Sequence, residues 1–408
     1  MVIRSQLGWV DFSAEDRERA KHALKQLSEP GTLDELGIGA LRDGFADLMF
    51  PGFSTIQTRA KYFITVPRII RDYLQLTPAQ QRRQSLQAYL EEQETQLADL
   101  LRDRHSDKSQ TGISGFSLEE GQSISRQPSS IYWVGLRTWK IVDAPGSLNQ
   151  FLRAIQSPEE HLGSTQSDEQ DDADAQNHIS RVHLDRYLRQ WRDEVCIQLT
   201  KSEAQFLSDK IKTGPVYSLP TQFEQHGLRP QVLQLGQATD SEQTGFCVLA
   251  NWVAGRQELL QSTRDVVRMA HGFSELIYGA HLRFNMILAR INQRDALLKG
   301  FEEKWQIWRK DIRTNPDDIP QWLTISRVRL PAHTQIFLRS WSEGIARSSA
   351  EALLDALVEK QARDNKKARS ILNKRLPEEF SWQGMKRLDY RWWQVRTILM
   401  DVQEGLAC

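Results

Sequence analysis

Cysteine is scarce: three residues in 408, Cys196, Cys247 and Cys408, all too far apart for a CxxC pair. Neither a disulfide framework nor a thiolate zinc cluster follows from that spacing, and a reducing compartment is the simplest setting. Long apolar runs are missing as well. No stretch approaches the roughly 18 apolar residues of a membrane span. The opening MVIRSQLGWVDFSAEDRER has no apolar segment of the secretory type. The expectation is a soluble, cytoplasmic protein with no membrane partner. Net charge is absent too, with 53 basic residues facing 53 acidic ones. Only the placement of charge can therefore argue for a polyanionic partner. The signature loops of common enzyme classes are also lacking: no GxSxG elbow, no Walker A loop, no GxGxxG and no HExxH. No reaction and no cofactor is implied, and the reading leans away from an enzyme.

What is present is ordinary globular material, 39% hydrophobic and 26% charged, and long enough for two domains. Twelve tryptophans stand out, beside fifteen Phe and eight Tyr. A buried indole needs a partner for its N–H, so they predict a helical core with polar seams or aromatic contact surfaces. Helical punctuation is legible. Ser13 caps a first helix that stops at SEPG (28–31), and PGFSTIQTRAKYFITVP gives a turn and a helix closed by Pro67. Thr77-Pro78 opens a helix with Leu86, Tyr89, Leu90, Leu97, Leu100 and Leu101 in one stripe. Thr200/Glu203 and Ser348/Glu351 have capping-box spacing. From Gly255 to Leu298 the apolar spacing predicts one long buried helix, or two joined near Gly272 or Gly279. Only 227–250 suggests a short strand pair or a loop. The predicted class is mainly α, with few or no strands. Residues 157–178, SPEEHLGSTQSDEQDDADAQNH, hold seven acidic side chains and no Lys or Arg. Such a segment buries too little to offset its ordering entropy and reads as an acidic disordered linker. It separates two helical lobes, an N-terminal domain at 1–156 and a C-terminal domain at 179–408.

Chemistry is harder to find. His271/Glu275 and His281/Asn285 each share a helix face, but satisfied polar residues between helices explain them better than a metal site. FEEKW (301–305) and VEK (358–360) hold the Glu-x-Lys fragment of some metal nucleases without the strand that should precede it. Charge placement says more. Between 360 and 396 eleven basic residues meet four acidic ones, interleaved with Trp382, Tyr390, Trp392 and Trp393. Lys386, Arg387 and Arg391 there are candidate phosphate contacts, with aromatics for stacking. The alternative is a core helix with Leu388, Trp392, Val395 and Leu399 inward and the arginines at its rim. A second basic stretch, 59–83, follows a Ser/Thr cap, so that Gln57, Arg59 and Lys61 would project from the first turns of a helix, where free amides attract anions. The third candidate is SISRQPSSIYWVGLRTWKIV, 123–142, with the rhythm of a helix-turn-helix spanning 117–142. Arg126 lies in its turn and Ser129 caps the second helix. Ile131, Val134 and Trp139 pack inward, and Ser130, Tyr132, Arg137 and Lys140 face a groove. A capped core helix is the competing account.

LGWVDFSAEDRERA, DELGIGALRDGFADLMFPGFSTIQTRAKYF, RQPSSIYWVGLRTW and KRLDYRWWQVRTILMDVQEGL together resemble a bacterial family catalogued as a domain of unknown function. The resemblance spans essentially the whole chain and implies a role in anti-phage defence, at loci that encode helicases and phospholipase D-like nucleases. It brings no catalytic residues, and the phospholipase-type HxK motif is missing. The expected function is a non-catalytic accessory protein of a prokaryotic defence system that binds nucleic acid, DNA among them, or docks a helicase or nuclease effector. A pure protein–protein adaptor and a metal-dependent nuclease are the alternatives.

Overall fold

The computed structural model describes residues 34–105, 112–116, 124, 126–156, 181–185, 190–235, 245–377 and 380–408. Among them the chain is mainly helical, as the spacing of its apolar residues predicts. In chain order the helices are α1 (Gly39–Met49), α2 (Tyr62–Leu74), α3 (Pro78–Arg83), α4 (Leu86–Arg104), α5 (Pro128–Thr138) and α6 (Leu148–Gln156). They continue as α7 (Lys201–Lys212), α8 (Leu219–Gln225), α9 (Arg229–Leu233), α10 (Gly245–Ala254), α11 (Gln261–Ile291) and α12 (Asp295–Asp311). The last are α13 (Asp318–Ser326), α14 (Ala332–Ala346), α15 (Glu351–Lys366) and α16 (Trp392–Ala407). Two short strands, β1 (Val142–Asp143) and β2 (Arg181–Val182), pair antiparallel with Val142 opposite Val182.

Contacts group these residues into two compact units that alternate along the sequence. One holds the described residues up to Leu41 together with Gly272–Leu388; the other holds Arg42–His271 and Asp389–Cys408. This departs from a linear division at 157–178, a segment outside the described residues. The elements flanking it share one unit because α2 and α7 are joined by buried charge pairs and β1 by its ladder to β2.

In the unit of Arg42–His271 and Asp389–Cys408, α2 is the central element. Phe63, Ile64, Val66, Ile69 and Ile70 are all buried, and the helix packs against α4, α5 and β2. Pro67, expected to close this helix, lies inside it. The ring costs one backbone hydrogen bond, and burial of Phe63, Ile64, Val66, Ile69 and Ile70 outweighs that loss. The helix expected from Thr77 is two: Thr77 and Gln80 form a capping box on α3, Gln84 is extended, and Ser85 caps α4 anew. Around 227–250, where a strand pair was one expectation, α9 and α10 stand instead, with 236–244 outside the described residues. α16 packs on α7, α9 and α10.

In the unit of Gly272–Leu388, the tryptophan reading is realised as a polar seam. Trp308 Nε1 donates to the Glu275 carbonyl, Trp341 Nε1 to the Leu276 carbonyl, both at 3.0 Å, and Trp305 Nε1 to Glu351 Oε1. Glu351 therefore does not close a capping box with Ser348, whose φ is 54°; it also binds Arg283 at 2.9 Å. α11 runs unbroken through Gly272 and Gly279. Gly279 is there for room, since a Cβ would overlap the Trp308 ring. Among the described residues no helix is long and apolar enough to cross a membrane.

Candidate nucleic-acid interface

Helix α5 begins without a side-chain cap. Gln127 is its extended N-cap and Pro128 its first helical residue. The cap arrives from α4. Glu94 accepts the Ser129 amide at 2.6 Å and the Ser129 hydroxyl at 3.1 Å. Ser129 is thus buried and held by another helix, a correction to its expected capping role. Burial pushes the Glu94 carboxyl up to about 8, against the lowering effect of both Ser129 hydrogen bonds.

The inner face of α5 is aromatic. Tyr132 is fully buried, and its hydroxyl donates to the Arg59 carbonyl while accepting the Thr58 and Arg59 amides, all at 2.9–3.0 Å. Its expected place at a groove is therefore corrected: it fastens the chain at 58–59. Gly135 lets the backbones meet, for a Cβ would stand 2.6 Å from the Gly52 carbonyl. Trp139 is buried against Phe53 and Phe63, as expected.

The outer face is different. Arg126, Ser130 and Lys140 are exposed, and Val134, expected inward, is 61% exposed. Arg137 is half-buried, with its Nε donating to the Ala144 carbonyl at 2.7 Å. Residues 117–123 and 125, which would supply the first helix of a helix-turn-helix, lie outside the described residues. The stretch WKIV does leave the helix by a turn: Lys140 is left-handed (φ 51°) and β1 follows.

A second element joins this face. Lys210, in the last turn of α7, donates to the Lys140 carbonyl at 2.9 Å. Its ammonium is held below the ordinary lysine value, by burial first and by the Lys140 charge second. Lys212 is exposed beside it in sequence. The turn after α7 lies against the same place, with the Gly214 Cβ position 3.6 Å from Trp139 Cδ1, and it carries the exposed Val216 and Tyr217. Sequence reasoning missed Lys210, Lys212 and Tyr217. The run KIKTGPVY was a local signal, but its proximity to Lys140, 70 residues away, was not.

The other predicted contacts are placed elsewhere. Gln57, Arg59 and Lys61 are buried, which corrects their expected projection from a helix start. Gln57 donates to the Gly52 carbonyl at 3.0 Å. Arg59 Nε lies 3.0 Å from both oxygens of Asp401, and Lys61 pairs with Glu203 at 2.6 Å. Arg68 bridges Glu203 at 2.7 Å and Asp185 at 3.0 Å. Burial would raise the Glu203 carboxyl, but Lys61, the Thr200 amide and Arg68 together bring it below the ordinary value. The helix starts only at Tyr62, so Arg59 and Lys61 thread the interior before it and must be paired there.

In the C-terminal stretch Lys386 is exposed. Arg387 binds Glu275 at 2.7 Å and lies 3.9 Å over the Tyr278 ring. Arg391, left-handed at φ 70°, binds Asp47 at 2.6 Å and the Phe53 carbonyl at 2.8 Å. Trp382, Tyr390 and Trp392 are buried; Trp393 is 55% exposed. The stacking platform is thereby reduced to Trp393, and the core-helix account describes Leu388, Trp392, Val395 and Leu399. His281 is buried, with Nδ1 3.0 Å from the Ile277 carbonyl, and Asn285 is engaged with the Gln383 backbone. Both Glu-x-Lys fragments sit on helices, α12 and α15. Among the described residues no three His, Cys, Asp or Glu side chains group as metal ligands.

No curated protein and no solved structure matches this chain. A family model does, over residues 4–403, nearly the full length that the sequence resemblance covers. The chain belongs to a family of unknown function, DUF6361.

Proposed function

We propose that this protein binds nucleic acid without acting on it chemically, through the outer face of α5 and the end of α7. The observation that carries the reading is that Lys210 of α7 donates to the Lys140 backbone carbonyl while the Lys140 charge acts on its ammonium, so that the fold brings cations of separate elements to one place. Like charges in one neighbourhood cost energy unless an anion joins them. Arg126, Arg137 and Lys212 extend the positive strip, and Tyr217 offers a ring of the kind on which bases stack. The resemblance to bacterial proteins of anti-phage defence loci supports an accessory role in such a system, beside a helicase or nuclease that supplies the chemistry.

Fluorescence anisotropy of labelled duplex and single-stranded oligonucleotides, titrated across salt, tests this. Affinity should fall steeply with salt. Replacing Lys140 and Lys210 together by Gln should weaken binding and flatten the slope by roughly 0.9 for each duplex phosphate no longer neutralised. Absence of binding at low salt, or an unchanged slope in the double variant, refutes the reading. A protein–protein adaptor is the second reading. It is favoured by the apolar groove of Ile319, Pro320, Leu323 and Ala332, beside which Ile336 is 66% exposed.

A further inference from the structure

The three cysteines differ in what their sulfurs face. Cys196 Sγ donates to the Gln198 carbonyl at 3.7 Å and Cys408 Sγ to the Glu404 carbonyl at 3.4 Å. Cys247 Sγ lies 3.4 Å from His271 Nε2, a base able to take its proton. Asn251, one turn further along α10, directs its amide Nδ2 at the same sulfur from 3.9 Å. Both point a donor or a proton carrier at Cys247, which is the arrangement that stabilises a thiolate.

Position strengthens the pair. Cys247 stands on α10 one turn before Asn251. Phe246, Leu249, Ala250 and Val253 form the buried face of α10, while Cys247 and His271 are half-exposed, open to a small reagent. Among the described residues, charged groups stand on the elements that carry and flank the pair. Asp389, ahead of α16, accepts the Phe246 amide and opposes a second negative charge; burial raises its carboxyl to about 6. Arg268, one turn before His271 on α11, is committed to Asp265 at 3.0 Å. Arg256 lies over Trp252, and Arg396 of α16 binds the Leu233 carbonyl. Glu275, which shares the helical spacing of His271, is held by Arg387.

We propose that Cys247 and His271 form a reactive thiol–imidazole pair, the site at which this protein exchanges with low-molecular-weight disulfides. The His271 imidazole takes the Cys247 proton, and the thiolate attacks one sulfur of the incoming disulfide. Its S–S bond breaks as the new bond to Sγ forms, and the departing thiolate takes the proton back from His271. One thiol and one disulfide yield one mixed disulfide and one thiol, so no further oxidant is needed.

The test uses the intact, reduced protein with an aromatic disulfide, 5,5′-dithiobis(2-nitrobenzoate), following released thiolate against time and pH. One fast phase should appear, with a pH midpoint below the ordinary thiol value of about 8.5. Peptide mapping of the wild-type protein should place it on Cys247. Cys247→Ala should remove that phase, while Cys196→Ala and Cys408→Ala keep it. His271→Gln should slow it at neutral pH by about tenfold and move its midpoint upward, a shift that loss of packing alone does not produce. Mapping of the fast label to Cys196 or Cys408 overturns the proposal. So does a pH profile unchanged by His271→Gln.

Discussion

Glu94 is a carboxylic acid placed where a helix start needs an acceptor and water is excluded. Its pKa stands at about 8 in the folded protein against 4.5 for an ordinary glutamate, so between those values the folded chain holds a proton that the unfolded chain has lost. Folding stability from this group is complete below about pH 4.5 and drains away as pH rises through 8. The melting temperature of the wild-type protein should therefore fall more steeply from about pH 5 to 8 than that of Glu94→Gln. Identical pH profiles would show that Glu94 is already ionised in the fold. The same residues mark how far sequence reading reaches. Tyr132 sits among Ser130, Arg137 and Lys140 and looks like part of their surface, but its hydrogen bonds run to Thr58 and Arg59, 74 and 73 residues away. Lys61 and Arg59 look like a basic patch for the same reason: the acids that neutralise them, Glu203 and Asp401, are distant in sequence.

Caps, turns and periodicity are local properties, and the elements they govern were the most legible. The Thr200/Glu203 box is present at the start of α7, and the apolar rhythm of 255–298 did mark a helix, α11. Its glycines were ambiguous because a sequence shows a missing side chain but not what fills the space. At Gly279 that filler is the Trp308 ring. Gly279→Ala would ordinarily favour a helix by up to about 1 kcal/mol; here it should destabilise the protein by about 1–3 kcal/mol, the usual cost of overpacking. A denaturation midpoint raised by Gly279→Ala would contradict that packing. The Ser348/Glu351 spacing misled in the opposite direction, since Glu351 is drawn away to Arg283 and Trp305. On α5 the buried aromatic face was half legible: Trp139 was placed correctly, whereas Val134 and Tyr132 exchanged sides.

Chain order and spatial order disagree in this molecule, and that was beyond reach of any local pattern. A composition shift at 157–178 reads as a border, yet α2 and α7 meet across it through Lys61, Arg68 and Glu203. A protein cut at a protease site inserted between 157 and 178 should therefore give two bands under denaturing conditions and one peak on size exclusion. Separation into two peaks without denaturant would show that the lobes stand independently. The alternation also bears on how the molecule is made. Arg59 and Asp401 are 342 residues apart, so at ordinary elongation rates on the order of 20–70 s pass between their translation. Throughout that interval Arg59 lacks the carboxylate that makes its burial tolerable, and Leu199 and Ala204, once made, await α16. The unit of Arg42–His271 therefore closes only after residues 389–408 clear the ribosome. A message truncated before those codons yields a product with its apolar seam open, fit for chaperone capture and proteolysis rather than for function.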